Sequence, residues 1–207
     1  SVTLFVIGDL FLSKEFELWF SELLEKFPAR LTVGCHGWSH KSWSAWPEDV
    51  EGFSADLTKA SDVISKHAGD SFRPWFRAPG GYMSPWMAPV LAEHGYVLDS
   101  SINPSWLVKG KAGKGNSWQD VDDALVKSGV VSRPWKTHWG LPINGPALSL
   151  LPLSLIAKRG WRHLPAPFTQ ETLEPALTSS DSNVTTLYWH LLDHARNNEK
   201  WAPPLRF

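Results

Sequence analysis

The segment LTVGCHGWSHKSW, residues 31–43, decides how the chain can fold. Its first five residues are apolar or small, which indicates a buried β-strand. Two histidines, His36 and His40, follow directly where this strand ends. Histidines four residues apart can place both imidazoles on one side of a helical turn, and neutral imidazole nitrogen binds Zn, Co, Ni or Fe. Taken alone the pair also fits surface or capping histidines, so the surrounding sequence has to decide.

Similar apolar runs alternate with helical patterns along the first hundred residues. Strands are predicted at 3–7, 31–35, 75–79 and 96–102, separated by helices that begin near Ser13, Pro47 and Ser84. Strands joined by helices at such short intervals form parallel sheets with right-handed crossovers. The pattern predicts an α/β barrel or a doubly wound sheet. Beyond Asn103 the alternation of predicted strands and helices is no longer clear. No linker or repeat divides the chain, so a single domain over 1–207 is expected.

Composition narrows the classes of function. The net charge of −1 offers no basic surface for a nucleic acid backbone. The sequence contains no run of apolar residues long enough to predict a membrane span. The single cysteine, Cys35, cannot form an intramolecular disulfide, so a reducing compartment is permitted and a cytoplasmic location is expected. Thirteen tryptophans are present, several in polar loops, where flat indole rings suit the faces of sugars.

Four chemically active residues lie at or just beyond the ends of four different predicted strands: His36, Arg77, Asp99 and His190. In α/β barrels, ligands bind at the carboxyl ends of the strands, so these side chains should converge on one face. Cys35, by contrast, should point away from His36, because successive strand residues face opposite sides. We interpret Cys35 as a small buried residue.

Arg77 opens the segment RAPGGY, residues 77–82. Its two glycines would let backbone N–H groups approach a ligand, although the segment also fits a plain turn with an exposed arginine. Asp99 lies between apolar residues and is costly to bury unpaired, so we expect it to pair with Arg77. His190, after the strand TTLYW, is a candidate general acid or base, with His194 as the alternative.

Taken in order, these motifs resemble those of the polysaccharide deacetylases of carbohydrate esterase family 4, the NodB-homology domain. TLFVIG resembles the family's second strand, HGWSH its metal motif and RAPGGY its arginine motif, while LDSSINPS and LYWH are similar to the two later motifs. The resemblance spans residues 3–190. It implies a distorted (β/α) barrel that removes N- or O-acetyl groups from sugars with a divalent metal, zinc before Co, Ni or Fe.

The resemblance also implies a role for each residue. His36 and His40 would be metal ligands, and His190 the general acid. Arg77, held by Asp99, would orient the catalytic carboxylate, and Gly80 lies in the turn whose amide stabilises the oxyanion, where the family often has Tyr. Leu187 and Tyr188 would lie near the pocket for the acetyl methyl group.

One family motif has no counterpart in this chain. The first motif carries the general base and the third metal ligand, so both are expected upstream of Ser1, and the chain is expected to lack the barrel's first strand. Asp9 is the nearest carboxylate in sequence, but it follows the family's second strand and is not assigned a role.

The expected function is therefore a metal-dependent hydrolase acting on C–N bonds other than peptide bonds. Its substrate would be an N-acetylated sugar of a surface polysaccharide or its precursor, as in the deacetylases found with exopolysaccharide and O-antigen gene clusters. Two alternatives stay open. The missing base motif fits an inactive relative that binds glycan through a tryptophan-rich rim, and an amidase of the same superfamily would act on a small cyclic amide.

Overall fold

The computed structural model of the chain describes residues 2–28, 30–148, 150–162, 175, 177–180, 184–188 and 190. Its main sheet has five parallel strands that lie side by side in chain order. They are β1 (Val2–Val6), β2 (Leu31–Cys35), β3 (Phe72–Phe76), β4 (Leu98–Asp99) and β5 (Val131–Ser132). Beyond β5, Trp135 forms a further parallel bridge with Thr186. A doubly wound sheet reverses its strand order, so this uninterrupted order indicates barrel-type winding and confirms the α/β class.

Helices connect these strands, and a short hairpin follows the sheet. The helices are α1 (Lys14–Lys26), α2 (Val50–Ala68), α3 (Met87–Glu93), α4 (Trp118–Lys127) and α5 (Leu153–Trp161). The antiparallel hairpin pairs β6 (Thr137–His138) with β7 (Leu141–Pro142). None of the helices in the described part of the chain combines the length and apolar character that crossing a bilayer needs.

Side-chain caps explain where the longer helices begin. The Ser13 hydroxyl accepts the Phe16 N–H at the start of α1, and Asp49 accepts the Gly52 N–H at the start of α2. The Ser13 cap lies where the sequence predicts a helix to begin, and α2 begins three positions after Pro47. At α4, which the sequence pattern does not predict, Ser117 and Asp120 form a reciprocal capping box. Beyond Asn103, where the sequence pattern is unclear, the segment after Pro152 is helical in α5.

The two faces of the sheet have different roles. One face packs against the helices in the main core, where Val33 and Phe76 meet Phe53, Leu57 and Ile64 of α2. Val50, the first residue of α2, is 42% exposed. The other face borders a cavity of about 280 Å³ that also contacts the segment 184–188. Side chains at alternate positions face this cavity, among them Phe5, Trp75, Arg77 and Ser100.

Candidate functional site

His36 is fixed by the end of β2 and the start of the next loop. Cys35 is fully buried in the core, as predicted, so His36 faces the opposite side of the sheet. The His36 N–H donates to the Val6 carbonyl at 2.8 Å, and its Nδ1 lies 2.6 Å from the Arg77 carbonyl. A carbonyl only accepts, so Nδ1 carries the hydrogen and Nε2 keeps a free lone pair. Burial lowers the pKa of His36 to about 3, so the ring is neutral at physiological pH.

His40 faces His36 across a loop rather than along a helical turn. Residues 36–40 are not helical, and Gly37 and His40 have positive φ values of 76° and 55°. This backbone path brings the two imidazole centroids within 5.1 Å at an interplanar angle of 68°. The pKa of His40 is lowered by partial burial and, next, by the nearby His190. The two rings are therefore neighbours, although the i and i+4 geometry assumed from the sequence is wrong.

The Gly80 turn lies directly against this loop. Gly80 has a φ of 61°, a conformation that glycine adopts without strain. A Cβ at Gly80 would lie 3.5 Å from the Ser42 hydroxyl, and one at Gly37 would lie 3.4 Å from Pro79. The Lys111 ammonium donates to the Gly80 carbonyl at 2.7 Å. The turn of the RAPGGY segment therefore packs against the loop that contains HGWSH.

Arg77 lies on the cavity face and is surrounded by aromatic rings. Its guanidinium carbon is 4.5 Å from the Phe5 centroid and 5.3 Å from those of Trp135 and Tyr188. Its Nε and Nη2 donate to the carbonyl and hydroxyl of Ser100 at 3.0 and 2.9 Å. Burial lowers the pKa of Arg77 to about 10.

The direct Arg77–Asp99 pair expected from the sequence does not form. The ion pairs within 4.0 Å in the described part of the chain do not include these two residues. Asp99 is in register with Phe76 and so faces the core, while Arg77 is one residue further on and faces the cavity. The Asp99 carboxylate instead accepts the N–H and hydroxyl of Ser101 at 2.9 and 2.6 Å. Arg77 and Asp99 interact only through their longer-range charges.

His190 lies near His36 and His40. Its ring centroid is 5.4 Å from that of Tyr188, and its charge lowers the pKa of both His36 and His40. Tyr188 and Leu187 border the cavity beside Arg77. His194, the alternative acid, lies outside the described residues. His36, His40 and His190 therefore occupy one neighbourhood, next to the Gly80 turn and Arg77.

Two carboxylates near this loop were not assigned from the sequence. The Asp9 N–H donates to the Trp38 carbonyl at 2.9 Å, and the Asp9 charge acts to raise the pKa of His40. Asp56 of α2 accepts the Trp38 N–H at 2.9 Å, and its pKa is raised mainly by burial. Asp9 lies three positions after the last residue of β1, close to the strand end, which is the kind of position that singles out His36. Asp56 has no local signal, because its position depends on how α2 packs.

The donor set fits a divalent metal in part. Two neutral imidazoles face each other, and His36 has the tautomer that leaves Nε2 free. Within the described residues, however, no group of three or more His, Cys, Asp or Glu side chains is arranged to hold a metal. A complete site would need a third ligand in addition to these two histidines.

The N-terminal part of the chain is similar to a known protein family. The polysaccharide deacetylase family model matches residues 1–98. No curated protein matches the sequence. Among solved structures, the chain is similar to a protein of Mycobacterium smegmatis proposed to be a polysaccharide deacetylase, with 19% identity and a TM-score of 0.49. The match covers 77% of this chain and 51% of that one, so the chain spans about half of that structure's length. Residues 1–98, just under half of the chain, are therefore similar to the polysaccharide deacetylase family.

Proposed function

We propose that this chain is the catalytic domain, over 1–207, of a hydrolase that removes acetyl groups from N-acetylated sugars of a surface polysaccharide or its precursor. The observation that carries the proposal is the convergence of three histidines beside a glycine turn and an arginine. His36 and His40 lie with ring centroids 5.1 Å apart, and His190 is near enough to lower the pKa of both. A cytoplasmic location belongs to the same proposal, and cell fractionation tests it.

His36 and His40 are the proposed ligands of a divalent metal, zinc before Co, Ni or Fe. The Arg77 carbonyl holds His36 in the tautomer whose Nε2 can coordinate, an arrangement typical of metal-binding histidines. When bound, such a metal supplies Lewis acidity and a water of lowered pKa. The third ligand and the general base are proposed to lie upstream of Ser1.

The remaining residues act on the acyl group and its leaving nitrogen. His190 is proposed to donate a proton to the sugar nitrogen as the C–N bond breaks, which releases acetate and a free amine. The Gly80 backbone N–H is proposed to stabilise the developing oxyanion, a contribution that is typically a few kcal/mol. Leu187 and Tyr188, which border the cavity, are proposed to enclose the acetyl methyl group.

Arg77 is proposed to orient the catalytic carboxylate. Its guanidinium borders the cavity and lies within 4.0 Å of no carboxylate among the described residues. A largely desolvated arginine is costly without a counter-ion. An incoming carboxylate beside Arg77 would remove that cost, which agrees with a base supplied from outside the described residues.

Metal binding and acetate release test the proposal together. Zinc affinity is measured by calorimetry, and acetate release from N-acetylglucosamine oligomers is measured with the full-length protein. His36→Ala should lower zinc affinity at least about tenfold and abolish turnover. Ser39→Ala, an exposed residue of the same loop, is the matched control and should change neither. Unchanged zinc affinity and turnover in His36→Ala would overturn the proposal.

A non-catalytic glycan-binding role is the second candidate. It is favoured by the incomplete ligand set, since no three-residue metal group occurs among the described residues. Glycan binding that survives EDTA, without acetate release by the full-length protein under any metal, would establish this second role.

A further inference from the structure

We infer that Lys111 is a positioning residue for the proposed reaction, because its ammonium holds the turn that presents the Gly80 N–H to the developing oxyanion. This inference rests on the proposed function and adds to it a residue outside the part of the chain that is similar to the deacetylase family, which ends at residue 98. Lys111 lies in the glycine- and lysine-rich segment KGKAGKGNS, residues 109–117.

The turn at Gly80 is built from backbone that has little stiffness of its own. Gly80 and Gly81 are consecutive glycines with φ values of 61° and 72°, and glycine has the widest choice of backbone conformations. The Gly81 N–H donates to the Ala78 carbonyl at 2.8 Å, and the Tyr82 N–H donates to the Pro79 carbonyl at 3.2 Å. These bonds join residues three positions apart. They close the turn, but they do not fix where it lies relative to the loop that carries the two histidines.

Lys111 contacts this turn from a distant part of the chain. Its Nζ donates to the Gly80 carbonyl at 2.7 Å across 31 sequence positions. The same ammonium lies 5.0 Å from the centroid of the Tyr82 ring, so it meets the turn at two points. The carbonyl and the N–H of Gly80 flank one α-carbon. Fixing the carbonyl therefore limits the backbone rotations that would turn the N–H away from the site.

The main chain around Lys111 is itself held in place. The Ser44 hydroxyl donates to the Lys111 carbonyl at 2.7 Å, which attaches it to the segment that follows the two histidines. Ala112, the next residue, is fully buried in the main core. A Cβ at Gly113 would lie 2.8 Å from the Ser84 hydroxyl, so this backbone also packs closely against the segment that leads into α3. The Lys111 side chain thus extends from a fixed point toward the Gly80 turn.

This contact keeps a lysine partly buried without an ion pair. Among the residues that the structure describes, the ion pairs within 4.0 Å do not include Lys111. Burial lowers the pKa of the Lys111 ammonium, which shows that its desolvation is not compensated by a carboxylate. A hydroxyl or an amide could attach a loop to a carbonyl without that cost. Ionisable groups perturbed by burial cluster at functional sites, and this one lies on the turn beside the proposed metal ligands.

The test measures acetate release from N-acetylglucosamine oligomers by the full-length protein with zinc. Lys111→Met keeps most of the apolar stem but removes the donor. Its kcat should fall roughly tenfold to hundredfold while KM changes less than about twofold, because the contact aligns a group that acts on the transition state. Lys111→Arg keeps a charged donor and should recover most of kcat. Lys109→Met removes an exposed lysine of the same segment and should change neither constant.

Hydrogen exchange gives a readout that does not depend on turnover. The N–H groups of Gly81 and Tyr82 should exchange faster in Lys111→Met than in wild type or in Lys109→Met, and Lys111→Arg should restore their protection. Lys111→Gln, whose side chain is shorter than that of lysine, is a second neutral variant with the same expected result, and it replaces Lys111→Met if that protein does not fold.

The inference is overturned if the neutral variants keep the kcat of wild type, if Lys109→Met loses as much, or if Lys111→Arg is as slow as Lys111→Met. A rise in KM at constant kcat would also overturn it, since that result would place Lys111 in substrate binding. If the wild-type protein releases no acetate, the proposed function fails instead. Faster exchange at Gly81 and Tyr82 in Lys111→Met would then still establish that Lys111 holds the turn, and unchanged exchange would refute that contact as well.

Discussion

Asp99 shows how burial at a single residue makes stability depend on pH. Burial raises the pKa of Asp99 from 3.8 to about 6, partly offset by its hydrogen bonds to Ser101 and by the charge of Arg77, while Asp122 raises it slightly. The folded protein thus holds this proton more tightly than the unfolded chain does. The stability that Asp99 contributes is fully present below about pH 4 and is lost as the pH rises through about 6.

Asp99→Asn should therefore stabilise the protein at neutral pH. The amide avoids burying a charge, and it can still accept the Ser101 N–H and donate to the Ser101 hydroxyl. We expect a gain of about 1–3 kcal/mol near pH 7.5 that shrinks toward zero near pH 4. Urea unfolding at several pH values measures the difference between variant and wild type. A difference that does not change with pH would contradict this assignment.

Asp56 holds the loop between the two histidines. Its carboxylate accepts the Trp38 N–H at 2.9 Å, and the Lys59 ammonium lies 3.8 Å from the Trp38 ring centroid on the same side of α2. Asp56→Ala leaves a partly buried amide without its acceptor, which should cost about 1–3 kcal/mol and speed hydrogen exchange at Trp38. Asp56→Asn keeps an oxygen acceptor and should restore most of the protection. Equal exchange in both variants would show that Asp56 does not position the loop.

The expected ion pair between Arg77 and Asp99 does not form because the two side chains lie on opposite faces of the sheet. The sequence pairs Asp99 with Arg77 because a buried carboxylate is costly unpaired and both residues lie near strand ends, and the strand-end rule gives the correct end of the sheet. It does not give the face. The face depends on register, and Phe76 opposite Asp99 puts Arg77 on the other side. Register between separate strands is a tertiary property that one sequence does not reveal.

At the scale of elements, β2 requires glycine at position 34. Phe5 of β1 crosses this position, and a Cβ there would lie 2.7 Å from its ring and 2.9 Å from the Trp75 carbonyl. Gly34→Ala would force two neighbouring strands apart, and overpacking of this kind costs about 1–3 kcal/mol. Urea unfolding should show that loss. Gly110→Ala is the matched control, because a Cβ at Gly110 meets nothing within 4 Å. Equal stability of the two variants would refute close contact between β1 and β2.

Elements with local signals are the ones that the sequence predicts well. Strands β1 and β2 and helices α1 and α2 combine apolar periodicity with caps, so their positions follow from short segments. Strands β4 to β7 have two residues each, and no period can be recognised over such a length. These short strands exist because neighbouring backbone pairs with them.

At the scale of the whole molecule, the candidate site depends on contacts between distant parts of the chain. The strand-end rule predicts that His36, Arg77 and His190 approach each other, since parallel strands end at one edge. It does not predict the carbonyl that sets the His36 tautomer, because the Arg77 contact joins residues 41 positions apart. The strand-end rule also does not predict which contacts hold the segment before His190 next to the sheet.

Arg133 provides one such long-range attachment. It is only 7% exposed, and its Nε donates to the Leu177 carbonyl at 2.8 Å. Its Nη2 donates to the Ser179 carbonyl, 46 positions away in sequence. Residues 184–188, which begin five positions after Ser179, border the cavity, so Arg133 indirectly supports the wall that carries Tyr188. The side chain thus couples the sheet to the segment that leads to His190.

Arg133→Met should loosen that segment and leave the first four strands unchanged. Methionine fills similar space but donates no hydrogen bond, and each charged bond lost typically costs about 1.5–3 kcal/mol. Hydrogen exchange followed by mass spectrometry should show faster exchange in residues 184–188, while β1 and β2 remain protected. Lys127→Met, which removes an exposed charge from α4, should leave both regions unchanged. Exchange that accelerates equally in β1 and in 184–188 would mean that Arg133 stabilises the whole fold rather than this wall, and the proposed link from the sheet to His190 would be wrong.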